Sequence, residues 1–279
     1  MKPHPDRPGQ RYRFIRHALK DEFGEGKTLK ILRYEKEGET GYGVLKGDRI
    51  QPLKGSLFGS FTICTEEIPR DEVRLLSPLD PNKLILIGRN YAAHAAEGGK
   101  PVPEEPLMFL ASPTAVIGPG EIIRLPNLED RIDHEAELAV VIGKRGKGIP
   151  RDRAKEYIFG YTCGNDVSNR ILQKKDGQYT RAKSFDTFKP LGPWIETDLD
   201  PSNLSVRLTV NGEVRQDGRT EEMIFPVPVL VEAISAVFPL EPGDVILTGT
   251  PSGVSPLRPG DEVQVEIEGI GSLTNRVEG

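Results

Sequence analysis

The chain has 279 residues and a formal net charge of −5, with an ordinary share of apolar residues. This length suffices for one large domain or two unequal ones, and the acidic balance argues against a nucleic-acid partner, which would need a basic face. The two cysteines are too few for a disulfide framework and fit a reducing cytoplasm, where thiols stay reduced.

Neither a secretory signal nor a membrane span is expected. Residues 1–27 are polar and charged throughout, unlike a signal peptide. The longest apolar stretch, residues 223–240, contains Pro226, Pro228 and Glu232, so a buried helix is predicted there. We therefore expect a cytoplasmic protein with no membrane among its partners.

The first part of the chain is predicted to hold a polar extension and then a small β domain. The extension covers residues 1–27. Three short strands follow between residues 29 and 53, because turn-forming glycines separate three apolar segments there. The small domain is assigned residues 28–79, with its boundary in the proline-rich segment Ser77–Pro81.

The second, larger domain is assigned residues 80–279 and is predicted to be mainly β with short helices. It opens with a buried strand at residues 83–88. Helices are predicted at residues 91–97, 151–157 and 227–237, and the C-terminal third returns to strands after Pro-Gly-Asp turns. The 30 glycines and 24 prolines favour many turns and short strands over a helical bundle.

Two acidic residues, Glu135 and Glu137, lie in the segment His134–Gly143, which is predicted to be a strand because β-branched residues follow and Gly143 ends it. Side chains alternate along a strand, so the two carboxylates point the same way. Burying them beside an apolar run is costly unless a cation holds them. The alternative is a solvated face at the edge of a sheet.

A third carboxylate, Asp166, follows in the segment Gly164–Ser168. Together, two Glu and one Asp would suit Mg²⁺ or Mn²⁺, hard ions that take carboxylates and water. Zinc is disfavoured, because the chain has four histidines and no Cys-x-x-Cys pair. A buried Asp in an ordinary turn is the alternative.

His94 and Glu97 lie three residues apart on the predicted helix 91–97, so they share a face. A carboxylate beside an imidazole fixes the tautomer and raises the basicity, which is the usual arrangement of a general base. Gly98 and Gly99 follow, and they suggest a segment able to move as a lid. The alternative is a chance pair on a surface helix.

Two further segments could contact an anionic substrate. Lys183 stands near aromatic residues and could hold a carboxylate or a developing enolate. Thr250 lies in the glycine-bearing segment Thr248–Gly253, which could offer backbone N–H groups and a hydroxyl to an anion. A surface lysine and a plain turn are the alternatives.

These motifs resemble the fumarylacetoacetate hydrolase superfamily, in the smaller bacterial branch of acylpyruvate hydrolases, oxaloacetate decarboxylases and 2-hydroxyhepta-2,4-diene-1,7-dioate isomerases. The resemblance covers about residues 80–279, and residues 28–75 are similar to the small N-terminal domain of some bacterial members. Five separated motifs occur in the expected order: Gly88-Arg89-Asn90-Tyr91 with His94 and Glu97, His134-Glu135-Ala136-Glu137-Leu138, Gly164-Asn165-Asp166-Val167-Ser168, Arg181-Ala182-Lys183-Ser184-Phe185-Asp186-Thr187-Phe188, and Leu247-Thr248-Gly249-Thr250-Pro251.

The resemblance implies a mixed β-sandwich roll, usually in a homodimer, that acts on a small 2-oxo acid. The implied roles are metal ligation by Glu135, Glu137 and Asp166, catalysis by His94, Glu97 and Lys183, and substrate binding by Thr250, Arg89 and, more loosely, Gln216. The chain also departs from the family pattern. Members often carry Ala, Asp and Cys where this chain has Asn169, Ile171 and Lys189, which bears on substrate choice.

The implied chemistry is stabilisation of an enolate by a Mg²⁺ or Mn²⁺ ion that holds the carboxylate and 2-oxo oxygen of the substrate. The main hypothesis is hydrolysis of a carbon–carbon bond in an acylpyruvate-type acid, because activation of water needs a base such as His94. Isomerisation of a hydroxydienedioate and decarboxylation of oxaloacetate would use the same residues. A metal-stabilised binding protein without turnover is the alternative from another class.

Overall fold

The computed structural model describes residues 29–99 and 101–279, so the predicted polar extension lies outside the described residues. The prediction of a mainly β fold with few short helices is confirmed. Across the two described ranges, no helix combines the length and the apolar character that a membrane crossing requires.

The first strands are a meander, as the spacing of the turn glycines predicted. Strands β1 to β3 are antiparallel neighbours in chain order. The strands before residue 80 are β1 Lys30–Lys36, β2 Glu39–Lys46, β3 Arg49–Gly55, β4 Phe61–Ile63, β5 Ile68–Pro69 and β6 Arg74–Leu75.

The larger part of the chain contributes the remaining described strands. They are β7 Leu84–Gly88, β8 Leu107–Ala111, β9 Val116–Ile117, β10 Ile122–Arg124, β11 Ile132–Asp133, β12 Ala136–Ile142, β13 Ile158–Asn165, β14 Ser168–Asn169, β15 Lys189–Glu196, β16 Ser205–Val210, β17 Glu213–Arg219, β18 Val245–Leu247, β19 Glu262–Ile267 and β20 Gly271–Glu278.

The helices are short. The described α-helices are α1 Ala92–Glu97, α2 Arg170–Asp176, α3 Thr180–Lys183 and α4 Val227–Val237. The predictions at residues 91–97 and 227–237 are confirmed, whereas the helix predicted at 151–157 is a 3₁₀-helix, Arg151–Glu156. Helices α2 and α3 were not predicted, and both lie beside the site described below.

A 13-stranded sheet runs in the order β4-β3-β2-β1-β15-β13-β12-β18-β7-β8, with three short strands off this path. Strand β1 pairs with β15, so the N-terminal meander continues the sheet of the larger part. A 5-stranded sheet, β10-β20-β19-β16-β17, packs against it. The division of the chain into domains at residue 79 stays a prediction.

Strand β12 lies in the middle of the large sheet and is buried on both faces. Leu138 and Val140 pack in the core that includes the 5-stranded sheet and α4, whereas Ala139 and Val141 pack in a second core. Glu137 has the same parity as Ala139 and therefore points to the second face. The strand thus delivers its acidic end into a fully buried setting.

The strand expected from His134 begins two residues later, at Ala136. The reason is that the preceding backbone donors have other partners. The N–H of His134 donates to the carbonyl of Ser255, and that of Glu135 donates to the side chain of Asn165. Glu135 therefore lies on an irregular segment that leads into the strand.

Candidate active site

Glu135, Glu137 and Asp166 come together at the start of β12. Strands β12 and β13 pair with Ala136 opposite Asn165, and the next backbone N–H, that of Asp166, donates to the Glu135 carbonyl at 2.8 Å. One carboxylate oxygen from each residue lies within 4.8 Å of the others. The three residues are 3%, 2% and 1% exposed. We call them the carboxylate cluster.

Two cationic side chains balance the charge of Glu135. Its Oε2 accepts from the Lys183 ammonium at 2.7 Å, and its Oε1 accepts from the Arg170 guanidinium at 2.5 Å. Burial alone would raise the pKa of Glu135, but the two cations hold that pKa well below its ordinary value. Glu135 is therefore ionised at neutral pH.

Glu137 lies in the opposite electrostatic situation. Its Oε2 accepts from the Gly249 N–H at 2.8 Å, but no ion pair to Glu137 occurs within residues 29–99 and 101–279. Burial and the neighbouring carboxylates of Asp166 and Glu135 raise the pKa of Glu137 well above its ordinary value. This carboxylate needs a further positive charge to be stable as an anion.

Gly249 has to be glycine to make its contact with Glu137. Its φ is +97°, a conformation that side-chain-bearing residues rarely adopt, and an added Cβ would lie 2.7 Å from the Cβ of Asn90. The Asn90 amide in turn donates to the carbonyl oxygens of Thr248 and Phe225. The hydrogen bond from Asn90 to Thr248 therefore joins the segment before helix α1 to the segment after β18.

The chemistry of the donors fits a hard divalent cation. All three donor groups are carboxylates, they are buried, and Glu137 has no ion pair in the described part of the chain. Carboxylate oxygens are the ligands that Mg²⁺ and Mn²⁺ prefer, whereas zinc sites are built mainly from Cys and His. A metal ion held by the carboxylate cluster would offset the repulsion among its members.

His94 lies on α1 and faces the cluster from outside. Its Nδ1 is 3.4 Å from Glu97 Oε2, and its Nε2 is 3.8 Å from Glu135 Oε1. The other oxygen of Glu97 accepts from the Gly253 N–H at 2.8 Å. The predicted His94–Glu97 contact is therefore present, and it also ties α1 to the segment that follows Thr250.

A cavity of about 40 Å³ opens between α1, α2 and the carboxylate cluster. Its polar lining includes predicted metal ligands, the predicted base and the predicted substrate contacts apart from Gln216. The lining residues are Ile87, Gly88, Arg89, His94, Glu135, Glu137, Arg170, Gln173, Tyr179, Lys183 and Thr250. A small, charged substrate is what such a space suits.

Gln216 lies behind this cavity and holds Thr250. Its Oε1 accepts from the Ala136 N–H at 3.0 Å, which orients the amide. Its Nε2 then donates to Thr250 Oγ1 at 2.7 Å, leaving the hydroxyl hydrogen of Thr250 for another acceptor. Direct contact between Gln216 and the substrate stays a prediction, and Thr250, which Gln216 holds, lines the cavity in front of it.

His134 completes the same buried chain of hydrogen bonds. Its Nδ1 is 3.0 Å from Gln216 Oε1 and its Nε2 is 2.8 Å from Ser255 Oγ. Because Gln216 Oε1 can only accept, His134 Nδ1 carries the hydrogen. Burial lowers the pKa of His134, so the ring is neutral and serves as a structural link.

The comparison with protein families shows which family this chain belongs to. Residues 83–278 match the fumarylacetoacetate (FAA) hydrolase C-terminal family, and residues 29–78 match the Rv2993c-like N-terminal family. The chain belongs to the fumarylacetoacetate hydrolase family. The predicted resemblance and the predicted roll-type β fold are therefore confirmed, and the chain is an enzyme of this family.

Relatives of this family member include enzymes with different outcomes. Oxaloacetate tautomerase FAHD2A, mitochondrial, from Bos taurus is 44% identical over 223 residues, which are 75% of this chain and 71% of the relative. The structure of 5-carboxymethyl-2-hydroxymuconate delta-isomerase from Mycobacterium smegmatis is 47% identical, with a TM-score of 0.84, and the match covers 89% of this chain and 99% of that one.

A third relative was solved with ligands. It is maleylpyruvate hydrolase from Sphingobium sp. SYK-6 in complex with manganese(II) ion and pyruvate. The two chains are 30% identical with a TM-score of 0.74, and the match covers 89% of this chain and 98% of that one. The three relatives are named for a tautomerase, an isomerase and a hydrolase.

The sequence did not predict Arg170, Gln173 and Tyr179 as site residues, although all three line the cavity, whereas it singled out Lys189 as a departure from the family pattern. Arg170 and Gln173 lie on the unpredicted helix α2 and line the cavity. Lys189 contacts Asp166 from behind, at 2.8 Å. The sequence offered one signal that could have revealed Arg170. This basic residue follows shortly after the Asp166 motif, and a buried acidic cluster needs cations nearby.

Proposed function

We propose that this enzyme forms the enolate of a small 2-oxo acid and that its reaction is hydrolysis of a carbon–carbon bond in acylpyruvate-type 2,4-dioxo acids. The observation that carries the proposal is the placement of His94, whose Nδ1 meets Glu97 while its Nε2 faces the carboxylate cluster. Such a pair is built to accept a proton beside a metal site.

The hydrolytic step uses His94 as the base. His94 removes a proton from water, and the water oxygen adds to the C4 carbonyl carbon of the substrate. The C3–C4 bond breaks, its electron pair goes to C3 as the pyruvate enolate, and the proton held by His94 is returned to C3. The products are a carboxylic acid and pyruvate, so atoms and electrons balance.

Other side chains would orient and stabilise the substrate. The ammonium of Lys183 and the guanidinium of Arg170 both line the cavity, and their positive charges suit a substrate carboxylate and the enolate oxygen. The hydroxyl of Thr250 accepts from Gln216, so its own hydrogen is available for a substrate oxygen. Arg89 lines the same cavity and is a further candidate contact.

The proposed cofactor is Mg²⁺ or Mn²⁺, held by Glu135, Glu137 and Asp166. When bound, such an ion supplies positive charge for the 2-oxo oxygen and the enolate. The manganese and pyruvate in the structure of maleylpyruvate hydrolase support this proposal. We further propose that the protein is a homodimer, as the resemblance implies, and that it is cytoplasmic, as its two cysteines suggest. We also propose that it acts in the breakdown of aromatic compounds.

The second candidate is tautomerisation or isomerisation at the same site. Relatives that are 44% and 47% identical to this chain carry the names oxaloacetate tautomerase and delta-isomerase, which supports this candidate. Here His94 would move a proton between carbon and oxygen, or along a diene, without adding water. Decarboxylation of oxaloacetate would use the same enolate after loss of carbon dioxide.

The experiment is a substrate panel with the purified protein after chelation and reloading with Mg²⁺ or Mn²⁺. The panel contains acetylpyruvate, fumarylpyruvate, oxaloacetate and 2-hydroxyhepta-2,4-diene-1,7-dioate. Ultraviolet absorbance gives the rates, and proton NMR identifies the products. Release of pyruvate with a carboxylic acid supports hydrolysis, whereas rearrangement without cleavage moves the assignment to the second candidate. Equal rates with and without metal would contradict both.

A further inference from the structure

Arg89 is a cation of the cavity lining that has no acidic partner within residues 29–99 and 101–279. It follows β7 directly and lines the cavity beside the carboxylate cluster. Its Nη1 donates to the backbone carbonyl of Pro101 at 3.3 Å, while its Nε is buried without a hydrogen-bond partner among the described residues. A guanidinium that is withdrawn from water without an anion is costly, so its placement indicates that an anionic ligand meets it.

The other strong cations of the lining are already engaged by carboxylates. All three nitrogen atoms of Arg170 donate to side chains, and two of those side chains are acidic. The ammonium of Lys183 contacts two members of the carboxylate cluster. Of the two lining arginines, Arg89 is therefore the one whose charge no carboxylate of the described chain offsets.

The backbone of Arg89 is strained, and its neighbour holds it in place. Its φ is +55°, in the left-handed region that favours glycine. The side chain of the next residue, Asn90, donates to the carbonyls of Thr248 and Phe225 and accepts from the Phe225 N–H. Strain of this kind persists where the surroundings impose it, often at functional sites. The position of Arg89 beside the cavity is thus set by the fold.

We propose that Arg89 binds a second carboxylate of the substrate and thereby selects 2-oxo acids with a carboxylate at each end over those with only one. The inference rests on the proposed function, in which the first carboxylate and the 2-oxo oxygen are bound at the carboxylate cluster. A planar guanidinium can donate two parallel hydrogen bonds to a carboxylate. The uncharged end of a monoacid would leave the same guanidinium without an anion.

Two other roles for Arg89 lead to a different result when it is replaced. It could bind the carboxylate next to the 2-oxo group, or it could only tether the segment after helix α1 through Pro101. In both cases its loss weakens the binding of monoacids and diacids by the same factor. Recognition of a second carboxylate makes the loss depend on the far end of the ligand, so the ratio of the two affinities isolates the proposed role.

The test uses pairs of acids with equal chain length: 2-oxoglutarate with 2-oxopentanoate, and 2-oxoadipate with 2-oxohexanoate. These acids lack the C4 carbonyl that hydrolysis requires, so calorimetry on the full-length protein loaded with Mn²⁺ measures binding without cleavage. We expect the wild-type protein to bind at least one diacid roughly 10- to 100-fold more tightly than its monoacid, the range for a charge-assisted hydrogen bond. Equal affinities within both pairs would overturn the inference.

Arg89→Met removes the charge and the N–H donors but keeps an unbranched side chain. We expect its affinity for the diacid to fall roughly 10- to 100-fold while its affinity for the monoacid stays within about twofold of wild type. Arg89→Lys keeps the charge without the planar fork and should retain part of the preference. A preference that survives in Arg89→Met, or an equal loss for both acids, would contradict the proposed role.

The matched control is Arg124→Met, because Arg124 is an exposed arginine outside the cavity lining that pairs with Glu278. This variant should keep the wild-type preference, which excludes a general effect of net charge. Circular dichroism and thermal unfolding report whether each variant folds, and the wild-type comparison decides the question without any variant. Wild-type protein that binds none of the four acids would instead overturn the proposed function, so the two failures are distinguishable.

Discussion

The carboxylate cluster and helix α1, which faces it across the cavity, are built in different ways. The cluster lies on and next to strands β12 and β13 in the middle of a 13-stranded sheet, and its members are almost fully buried. Helix α1 has six residues, and the side chains of His94 and Glu97 on it are 15% and 40% exposed. One half of the site is held inside the sheet, and the other lies on a short helix whose two site residues are partly exposed.

This difference assigns different physical tasks to the two halves. Buried carboxylates beside one another repel strongly, and a sheet interior supplies the rigidity to hold them together for a metal ion. A short helix with Gly98 and Gly99 after it suits a group that must approach and leave the substrate. The predictions below separate metal binding from proton transfer, and they run from the largest expected effect to the smallest.

The largest effect is expected from Glu137→Ala. Glu137 is the member of the cluster without an ion pair in the described residues, so its loss removes a ligand without freeing a buried cation. Metal-dependent turnover should fall about 10³-fold or more, with the fold retained. Steady-state kinetics measure the turnover, and calorimetric titration measures the loss of metal affinity. Exposed Glu104→Ala is the control, and unchanged turnover in Glu137→Ala would remove the metal hypothesis.

His94→Ala tests the other half of the comparison. His94 faces the cluster through a 3.8 Å contact but is not a member of it, so metal affinity should stay within about twofold while turnover falls on the order of 10²–10⁴-fold. Calorimetry with Mn²⁺ and single-turnover kinetics separate the two quantities. A large loss of metal affinity would show that the base assignment is wrong.

Glu97→Gln should have a smaller effect than His94→Ala. The amide can still accept from Gly253, but it no longer places a negative charge beside His94 Nδ1. We expect about tenfold slower turnover, since a hydrogen bond to a charged group contributes about 1.5 kcal/mol. Steady-state kinetics of Glu97→Gln measure the loss of turnover, and Glu105→Gln, at an exposed position, is the control. A loss equal to that of His94→Ala would show that Glu97 does more than orient the ring.

The smallest effect concerns Glu196, a buried carboxylate outside the site. Burial raises its pKa to about 7. Between the ordinary value of 4.5 and about 7 the folded protein keeps a proton that the unfolded chain releases, so stability falls as the pH rises through this range. Glu196→Gln should therefore gain about 2 kcal/mol over wild type at pH 8 and less at pH 5.

Urea unfolding at the two pH values measures this difference, with Glu104→Gln as an exposed control. A stability gain that does not depend on pH would contradict the raised pKa. Glu196 thus provides the reference for the carboxylate cluster, because it shows how a buried carboxylate behaves where no metal is proposed.

Much of the fold followed from local patterns. The turn glycines predicted the N-terminal meander, and the apolar run at residues 83–88 predicted strand β7. Helix α4 was predicted with its observed bounds. These elements succeeded because their periodicity and turn residues are encoded over a few positions.

Helices α2 and α3 were missed because their sequences carry little apolar periodicity. Both lie over the site and are held by charged contacts, such as Arg170 to Asp133 at 2.8 Å and Lys183 to Glu135 at 2.7 Å. A charged helix of this kind is stabilised by partners distant in the chain, so a local pattern cannot reveal it. The same reason explains why Arg170 and Gln173 were not among the predicted site residues.

The sequence by itself predicted that Glu135 and Glu137 share a direction, from the alternation of side chains along an extended chain. The two carboxylates do lie together, although Glu135 precedes the strand. The sequence also determined the family, through five ordered motifs. Only the tertiary structure decided which group contacts each carboxylate. Arg170 and Lys183 contact Glu135, Lys189 contacts Asp166, and the backbone N–H of Gly249 donates to Glu137. Those contacts join residues up to 112 positions apart, and electrostatic pairing over such separations exists only once the sheet has formed.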